Sequence, residues 1–223
     1  MATETGTKKK KITIALPILM PMEILPLTCL LNMVIRMTKS AEYEVEVKFI
    51  GRLIITQARN LFAEDAMNTG ADYILFIDSD QTYPVETLER VLVHDKEICG
   101  MLYFMRRLPA EPCMLRAERH ENRVEYKPIK EYPRGLLEVD GIGMGFTLIK
   151  THVFRKIEKP WFWIIYPSVT EDIYFCIKAQ QAGFKIFVDT THPIGHLYNP
   201  PTITEETYRT GNLFFEGQIT KFY

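Results

Sequence analysis

Cysteine is sparse in this chain. Four stand among 223 residues, at positions 29, 99, 113 and 176, far apart and never as C-x-x-C. That scatter argues against a disulfide framework and against a zinc-ribbon pattern. Cys29, Cys99 and Cys176 fall within apolar runs, as reduced core thiols of a cytoplasmic protein do. A surplus of one charge is missing too: 27 Lys and Arg face 28 Asp and Glu, a net charge of −1. Such a balance leaves no global footprint for nucleic acid. Long unbroken apolar runs are also lacking. The stretch from Ile12 to Ile35 follows the basic run Lys8 to Lys11, but Pro17, Pro21, Pro26 and Glu23 interrupt it. It reads as strand, loop and helix, with no transmembrane segment and no cleaved leader. G-x-G-x-x-G is absent as well. Gly141, Gly143 and Gly145 have the wrong spacing and run into a strand, which argues against a nicotinamide cofactor.

What is present is an ordinary globular composition, 47% apolar, suited to one α/β domain. The organising stretch is Ala71 to Asp80, A-D-Y-I-L-F-I-D-S-D. Tyr73 to Ile77 is a short apolar run of the kind found in strands buried on both faces. Asp78, Ser79 and Asp80 follow at its carboxyl end, where open α/β sheets bind ligands. Two carboxylates spaced i, i+2 suit Mg²⁺ or Mn²⁺ beside substrate phosphates. The same three residues also suit an Asx turn.

Around that strand the pattern alternates. A polar, basic tail at 1–11 has nothing to bury and is expected to be disordered. Ile12 to Leu16 reads as a strand ended by Pro17, and Leu25 to Thr38 as a helix with Leu27, Leu30, Leu31, Val34 and Ile35 at helical spacing. Tyr43 to Ile50 reads as a half-exposed strand, and Ile54 to Asn68 as a helix stopped by Gly70. Pro84 suits the first turn of a helix reaching His94, and Ile98 to Phe104 a further strand. Strand and helix in turn predict a largely parallel sheet covered on both faces. From 105 the character becomes hairpin-like, with short strands near 113–116, 123–126 and 136–139. A glycine-rich D-G-I-G-M-G-F-T-L-I-K, a short helix at 151–157 and the aromatic loop Pro160 to Trp163 come next. S-x-x-E at 168–171 predicts a capping box for a helix running to Gly183. Lys185 to Val188 reads as a further strand, and the tail 199–223 holds a short helix near 204–208.

Several residues carry two readings on sequence alone. Arg59 is a ligand-facing cation or a snorkelling surface residue. Glu171 and Asp172 are chemical acids or helix-dipole partners. Trp161 and Trp163 are core rings or a sugar-stacking surface. His196 is a ligand or a core histidine.

With these pieces in order, the chain resembles the nucleotide-sugar-dependent glycosyltransferases of the GT-A fold, close to glycosyltransferase family 2. The matching features are the strand ending at Pro17, Ala58-Arg59-Asn60, Y-I-L-F-I-D-S-D, the glycine-rich segment, Pro160-Trp161-Phe162, T-E-D-I-Y-F-C at 170–176 and Gly195-His196. They span about Ile12 to Leu197. The resemblance implies a Rossmann-like α/β/α sandwich with a mostly parallel central sheet and a small antiparallel acceptor-side element. Within one domain, 12–104 would bind the nucleotide-sugar and 105–198 the acceptor.

It also implies a Mn²⁺ or Mg²⁺ ion on Asp80, with Asp78 on the ribose or metal side and His196 as a further ligand. Pro17, Arg59, Ser79, Gly143, Gly145, Trp161 and Trp163 would contact the donor or shape its pocket. Asp172 would be the general base of an inverting transfer, with Glu171 orienting the acceptor. The donor would be a nucleoside-diphosphate sugar, UDP favoured and GDP open, and the acceptor a glycan or other hydroxyl. Ile50-Gly51-Arg52 stands where relatives often place a base-reading acid. A histidine after the acid pair also occurs in retaining relatives. Two other readings compete: a non-catalytic nucleotide-sugar-binding module or subunit of an assembly, and a sugar nucleotidyltransferase. The latter would want a glycine-rich loop with Arg after the first strand, where Pro17-Ile-Leu-Met-Pro21 stands instead. Homo-oligomerisation is left open.

Overall fold

The structure, a computed structural model, describes residues 8–121, 123–198 and 202–211. Its centre is a seven-stranded sheet in the order β2-β1-β3-β10-β5-β11-β8. These strands are β1 (Lys10–Ile18), β2 (Tyr43–Gly51), β3 (Tyr73–Ile77), β5 (Ile98–Met101), β8 (Leu136–Val139), β10 (Phe146–Lys150) and β11 (Ile186–Asp189). β2, β1, β3, β5 and β11 run one way, while β10 and the edge strand β8 run the other. β10 lies antiparallel in the middle of the sheet, so strands from before and after residue 105 share one sheet. The small elements are β4 (Gln81–Thr82), β6 (Met114–Arg119), β7 (Val124–Pro128), β9 (Gly141–Ile142), β12 (Gly195–Leu197) and β13 (Thr202–Ile203). They form two three-stranded sheets, β13-β12-β4 and β7-β6-β9. This is the Rossmann-like α/β/α architecture expected of a GT-A-type fold.

The helices are α1 (Ile24–Met37), α2 (Ile55–Asn68), α3 (Thr87–Leu92), α4 (His152–Lys156), α5 (Glu171–Gln181) and α6 (Glu205–Thr210). They cover the two faces, and strand alternation divides the core between them. Ile74 and Phe76 of β3 pack with Phe62 of α2, Phe154 of α4 and Phe175 of α5. Tyr73, Leu75 and Ile77 pack with Leu30 and Met33 of α1 and Leu88 and Val91 of α3. All five residues of β3 are buried, as a strand sandwiched between helix layers requires.

Some expectations need correction. Lys10 and Lys11 do not belong to a tail; they open β1 opposite Tyr43 and Glu44. The rest of the expected tail, 1–7, lies outside the described residues, as do 199–201 and 212–223. Pro17 does not end β1 but sits inside it, facing Ile50. Pairing with β3 stops at Ala15, so beyond that point β1 has a free edge, where proline is tolerated. In α1 the buried positions are Pro26, Leu30, Met33 and Met37. Leu27, Leu31 and Ile35 point outward, because two apolar stripes compete on one helix and periodicity cannot rank them. Pro84 stands one turn ahead of α3, its carbonyl accepting from the Thr87 N–H at 3.1 Å. The expected capping box at Ser168 does not form. Thr170 is the N-cap of α5, and Glu171 is engaged elsewhere. A capping box occurs instead at Thr204 and Thr207 of α6.

Candidate active site

The site forms where β3 ends. The short pairing of β4 with β12 sets Gln81 opposite His196, and the Leu197 N–H donates to the Asp80 carbonyl at 2.8 Å. His196 is therefore carried to the Asp80 side chain by strand register. Its Nδ1 lies 2.8 Å from the Phe104 carbonyl. A carbonyl only accepts, so Nδ1 carries a proton and Nε2 is the atom turned to Asp80, 3.3 Å from Oδ1. Arg106, on the loop after β5, donates from Nη1 to Asp80 Oδ2 at 2.6 Å. Burial works against the charged form of Asp80, but His196 and then Arg106 outweigh it and hold the carboxyl below the usual range. The same pairing raises His196 despite its own burial.

Asp80 Oδ1 and His196 Nε2 lie at a distance that one divalent cation can share, the carboxylate suiting Mg²⁺ or Mn²⁺ and the imidazole transition metals, while Arg106 holds the other Asp80 oxygen. The far-side hydrogen bond fixes the imidazole in place. Asp78 does not join them. Its Oδ1 accepts from Arg59 Nη2 at 2.9 Å. Among the described residues, the group of three close metal-type donors is elsewhere, Glu118, His120 and Glu125 on the β6–β7 hairpin. Lys127 bridges both of those glutamates, so they read as a surface ion-pair cluster.

Arg59 is 3% exposed. It does not snorkel to the surface: its Nη1 donates to Glu171 and its Nη2 to Asp78. One guanidinium thus ties the acid at the end of β3 to the acid opening α5. Burial lowers the charged form of Arg59, yet Asp78, Glu171 and Asp172 together raise its pKa. Burial raises Glu171 above the usual carboxylate range, Arg59 opposing and the Asp172 charge adding to it.

Asp172 is placed differently. Its Oδ1 accepts from the Thr170 hydroxyl and from the Ile173 N–H, the latter at 2.8 Å. Its Oδ2 stands over the glycine-rich segment, 3.6 Å from where a Cβ on Gly143 would be. That segment is close-packed for a reason the sequence did not show. A Cβ on Gly143 would lie 2.0 Å from the Tyr103 hydroxyl, and one on Gly145 would lie 2.7 Å from the Tyr103 ring. The Gly145 N–H donates to that hydroxyl at 3.0 Å. These glycines admit a buried tyrosine beneath the site.

The two tryptophans are placed differently. Trp161 is in the core, its indole N–H shared between the carbonyls of Phe154 and Ile157 at 2.9 and 3.0 Å. Its ring meets Phe154 edge-on, so it offers no face to a sugar. Trp163 is 54% exposed. Asn60 braces the loop, its Oδ1 accepting from the N–H groups of Trp161 and Phe162 at 3.0 and 3.3 Å.

A cleft of about 680 Å³ opens beside Asp80, walled by Ser79, Arg106 and Leu197 and by Leu19, Met20 and Ile24. The segment just after Pro17, rather than Pro17 itself, forms its apolar side. Sequence reasoning missed Tyr103, Arg106 and this wall. The Arg106-Arg107 pair opening the loop after a buried strand was the one available signal.

No family model and no curated protein matches the chain. Among solved structures, A197 from STIV is similar at 18% identity and a TM-score of 0.54, over 87% of this chain and 93% of that one. The catalytic domain of Drosophila β1,4-galactosyltransferase 7, solved with xylobiose, gives 14% identity and a TM-score of 0.47 over 95% of this chain and 77% of that one. At such identity the likeness to A197 concerns the fold alone, and the lower score adds nothing to it.

Proposed function

We propose that the chain is a metal-dependent glycosyltransferase that moves a sugar from a nucleoside-diphosphate sugar to an acceptor hydroxyl. The observation that carries this reading is the unequal treatment of two adjacent acids. Glu171 is committed to Arg59, whereas Asp172 has one oxygen anchored and the other turned toward Gly143. That is the placement a general base needs: fixed in direction, with a lone pair presented. In the transfer, the acceptor oxygen bonds to the sugar C1 as the bond from C1 to the phosphate oxygen breaks. The acceptor proton passes to Asp172 Oδ2, and the nucleoside diphosphate departs with the bonding pair.

Asp80 and His196 would hold the cation, Mn²⁺ or Mg²⁺, which when bound neutralises charge growing on the diphosphate. Leu19, Met20 and Ile24 supply apolar walls for a nucleoside beside Asp80. Arg59 keeps Asp78 and Glu171 in fixed relation, so the donor and acceptor sides share one buried cation. A single-turnover assay of donor consumption tests the reading. Asp172→Asn is expected to slow transfer at least about a hundredfold with metal-dependent nucleotide binding intact. Equal, measurable rates in variant and wild type would remove Asp172 as the base. Metal-dependent nucleotide binding with no transfer by the wild type would move the reading to a non-catalytic nucleotide-sugar-binding module.

A further inference from the structure

Helix α1 carries apolar residues on both sides, and among the described residues only one side is packed. Leu30, Met33 and Met37 face the sheet. Ile24, Leu31 and Ile35 face outward at 81%, 51% and 55% exposure, with Leu27 on the same stripe. Met20, 69% exposed, continues it to the cleft beside Asp80. Asn32 and Arg36 are exposed beside this stripe, and a contiguous exposed apolar patch with a polar border marks an interaction surface.

The charge around the stripe says what kind of cover. Within α1 and its C-terminal turn, Ile24 to Ser40, there is no Asp or Glu. The nearest acids are Glu23 before the helix, Glu42 after it, and Glu89, which is paired with Arg36. At the carboxyl end of α1 the Lys9 ammonium donates to the Ser40 carbonyl at 2.7 Å, which brings the Lys8-Lys9 run beside Lys39. Among the described residues none of these three lysines has an acidic partner. We propose that this face docks on an anionic lipid bilayer. α1 lies in the headgroup plane, Leu27, Leu31 and Ile35 enter the acyl boundary, and the lysines meet lipid phosphates. Headgroups supply the negative charge that the acid-free stripe of a second copy would lack. The cleft with Asp80 then opens at the bilayer surface, at the other end of the same helix. The inference stands on this face alone and does not require the transfer reading.

The test is flotation of the full chain with phosphatidylcholine vesicles, alone and with about a third phosphatidylglycerol. Binding is expected with the anionic vesicles. The double variant Leu31→Gln, Ile35→Gln is expected to weaken it by about tenfold or more. Leu61→Gln, exposed on α2 across the sheet, should leave it unchanged. Lys8→Gln, Lys9→Gln and Lys39→Gln together should abolish the preference for anionic lipid. Both stripe positions are already half exposed, so these variants keep the fold, which circular dichroism checks. No flotation, or flotation indifferent to the stripe variant, overturns the proposal. So does a wild-type dimer in light scattering that the stripe variant dissolves, which would assign the face to a second copy. Flotation that appears only after removal of residues 212–223 overturns it too, assigning the face to that segment.

Discussion

Arg59 and Glu171 are 112 positions apart and hydrogen-bonded through a guanidinium that also binds Asp78. Removing one partner of a buried ion pair leaves the others uncompensated. Arg59→Ala is therefore expected to lower stability by about 3 kcal/mol, the low end for such losses because Asp78 is partly open to water. Urea unfolding measures this. A loss no larger than that of an ordinary surface substitution would show that the two acids do not depend on the cation.

Arg106 occupies one oxygen of Asp80, and His196 faces the other. A cation binding Asp80 must compete with that guanidinium. Arg106→Gln is thus expected to bind Mn²⁺ several-fold more tightly in calorimetry without nucleotide. Its cost in stability is expected to stay below about 1 kcal/mol, as for other exposed ion pairs. Unchanged or weaker Mn²⁺ binding would contradict the competition.

Gly143→Ala would drive a methyl group into the Tyr103 hydroxyl. Overpacking of this kind costs about 1–3 kcal/mol. Tyr103→Phe removes the clashing oxygen and, separately, an acceptor for the Gly145 N–H. The double variant is expected to be more stable than the sum of the single losses, a coupling that a thermal-unfolding cycle reads directly. Strict additivity would show that the two residues do not meet.

Asp189 gives the pH dependence. Its burial raises the carboxyl pKa, but hydrogen bonds from His94 and Thr191 prevail and hold it below the usual value. A carboxyl depressed in the fold contributes stability above its unfolded pKa, about 3.9. It loses that contribution as pH falls through the lower folded value. The stability difference between wild type and Asp189→Asn is expected to be flat from neutrality to about pH 5 and to shrink below it. A constant difference down to pH 3 would remove Asp189 from the acid response.

Much of this arrangement was readable from local pattern. β3 runs from Tyr73 to Ile77 as its composition indicates, because five apolar residues between a glycine turn and two acids have few other solutions. The α2 bounds follow from equally local signals, whereas α5 begins two residues later than the S-x-x-E pattern indicates. What was not readable depends on long-range partners. The destination of Arg59, the Arg106 contact and the tyrosine beneath the glycines are set by strand order and register, which bring together residues with no sequence signal of proximity. The central antiparallel β10 is of the same kind: a strand buried on both faces looks alike in either direction. For α1 the ambiguity was physical, since both of its faces are apolar and only packing decides between them.

The measurement closest to the central claim is a thermal-shift panel of UDP, GDP, CDP and dTDP, each with and without Mn²⁺, on wild type and Asp80→Ala. A ligand at a hundredfold excess over its Kd adds about 2.7 kcal/mol to apparent stability. The expected result is a shift with one nucleotide that requires Mn²⁺ and vanishes in Asp80→Ala. A folded wild type that shifts with none of them, or an Asp80→Ala protein that shifts equally, would contradict it.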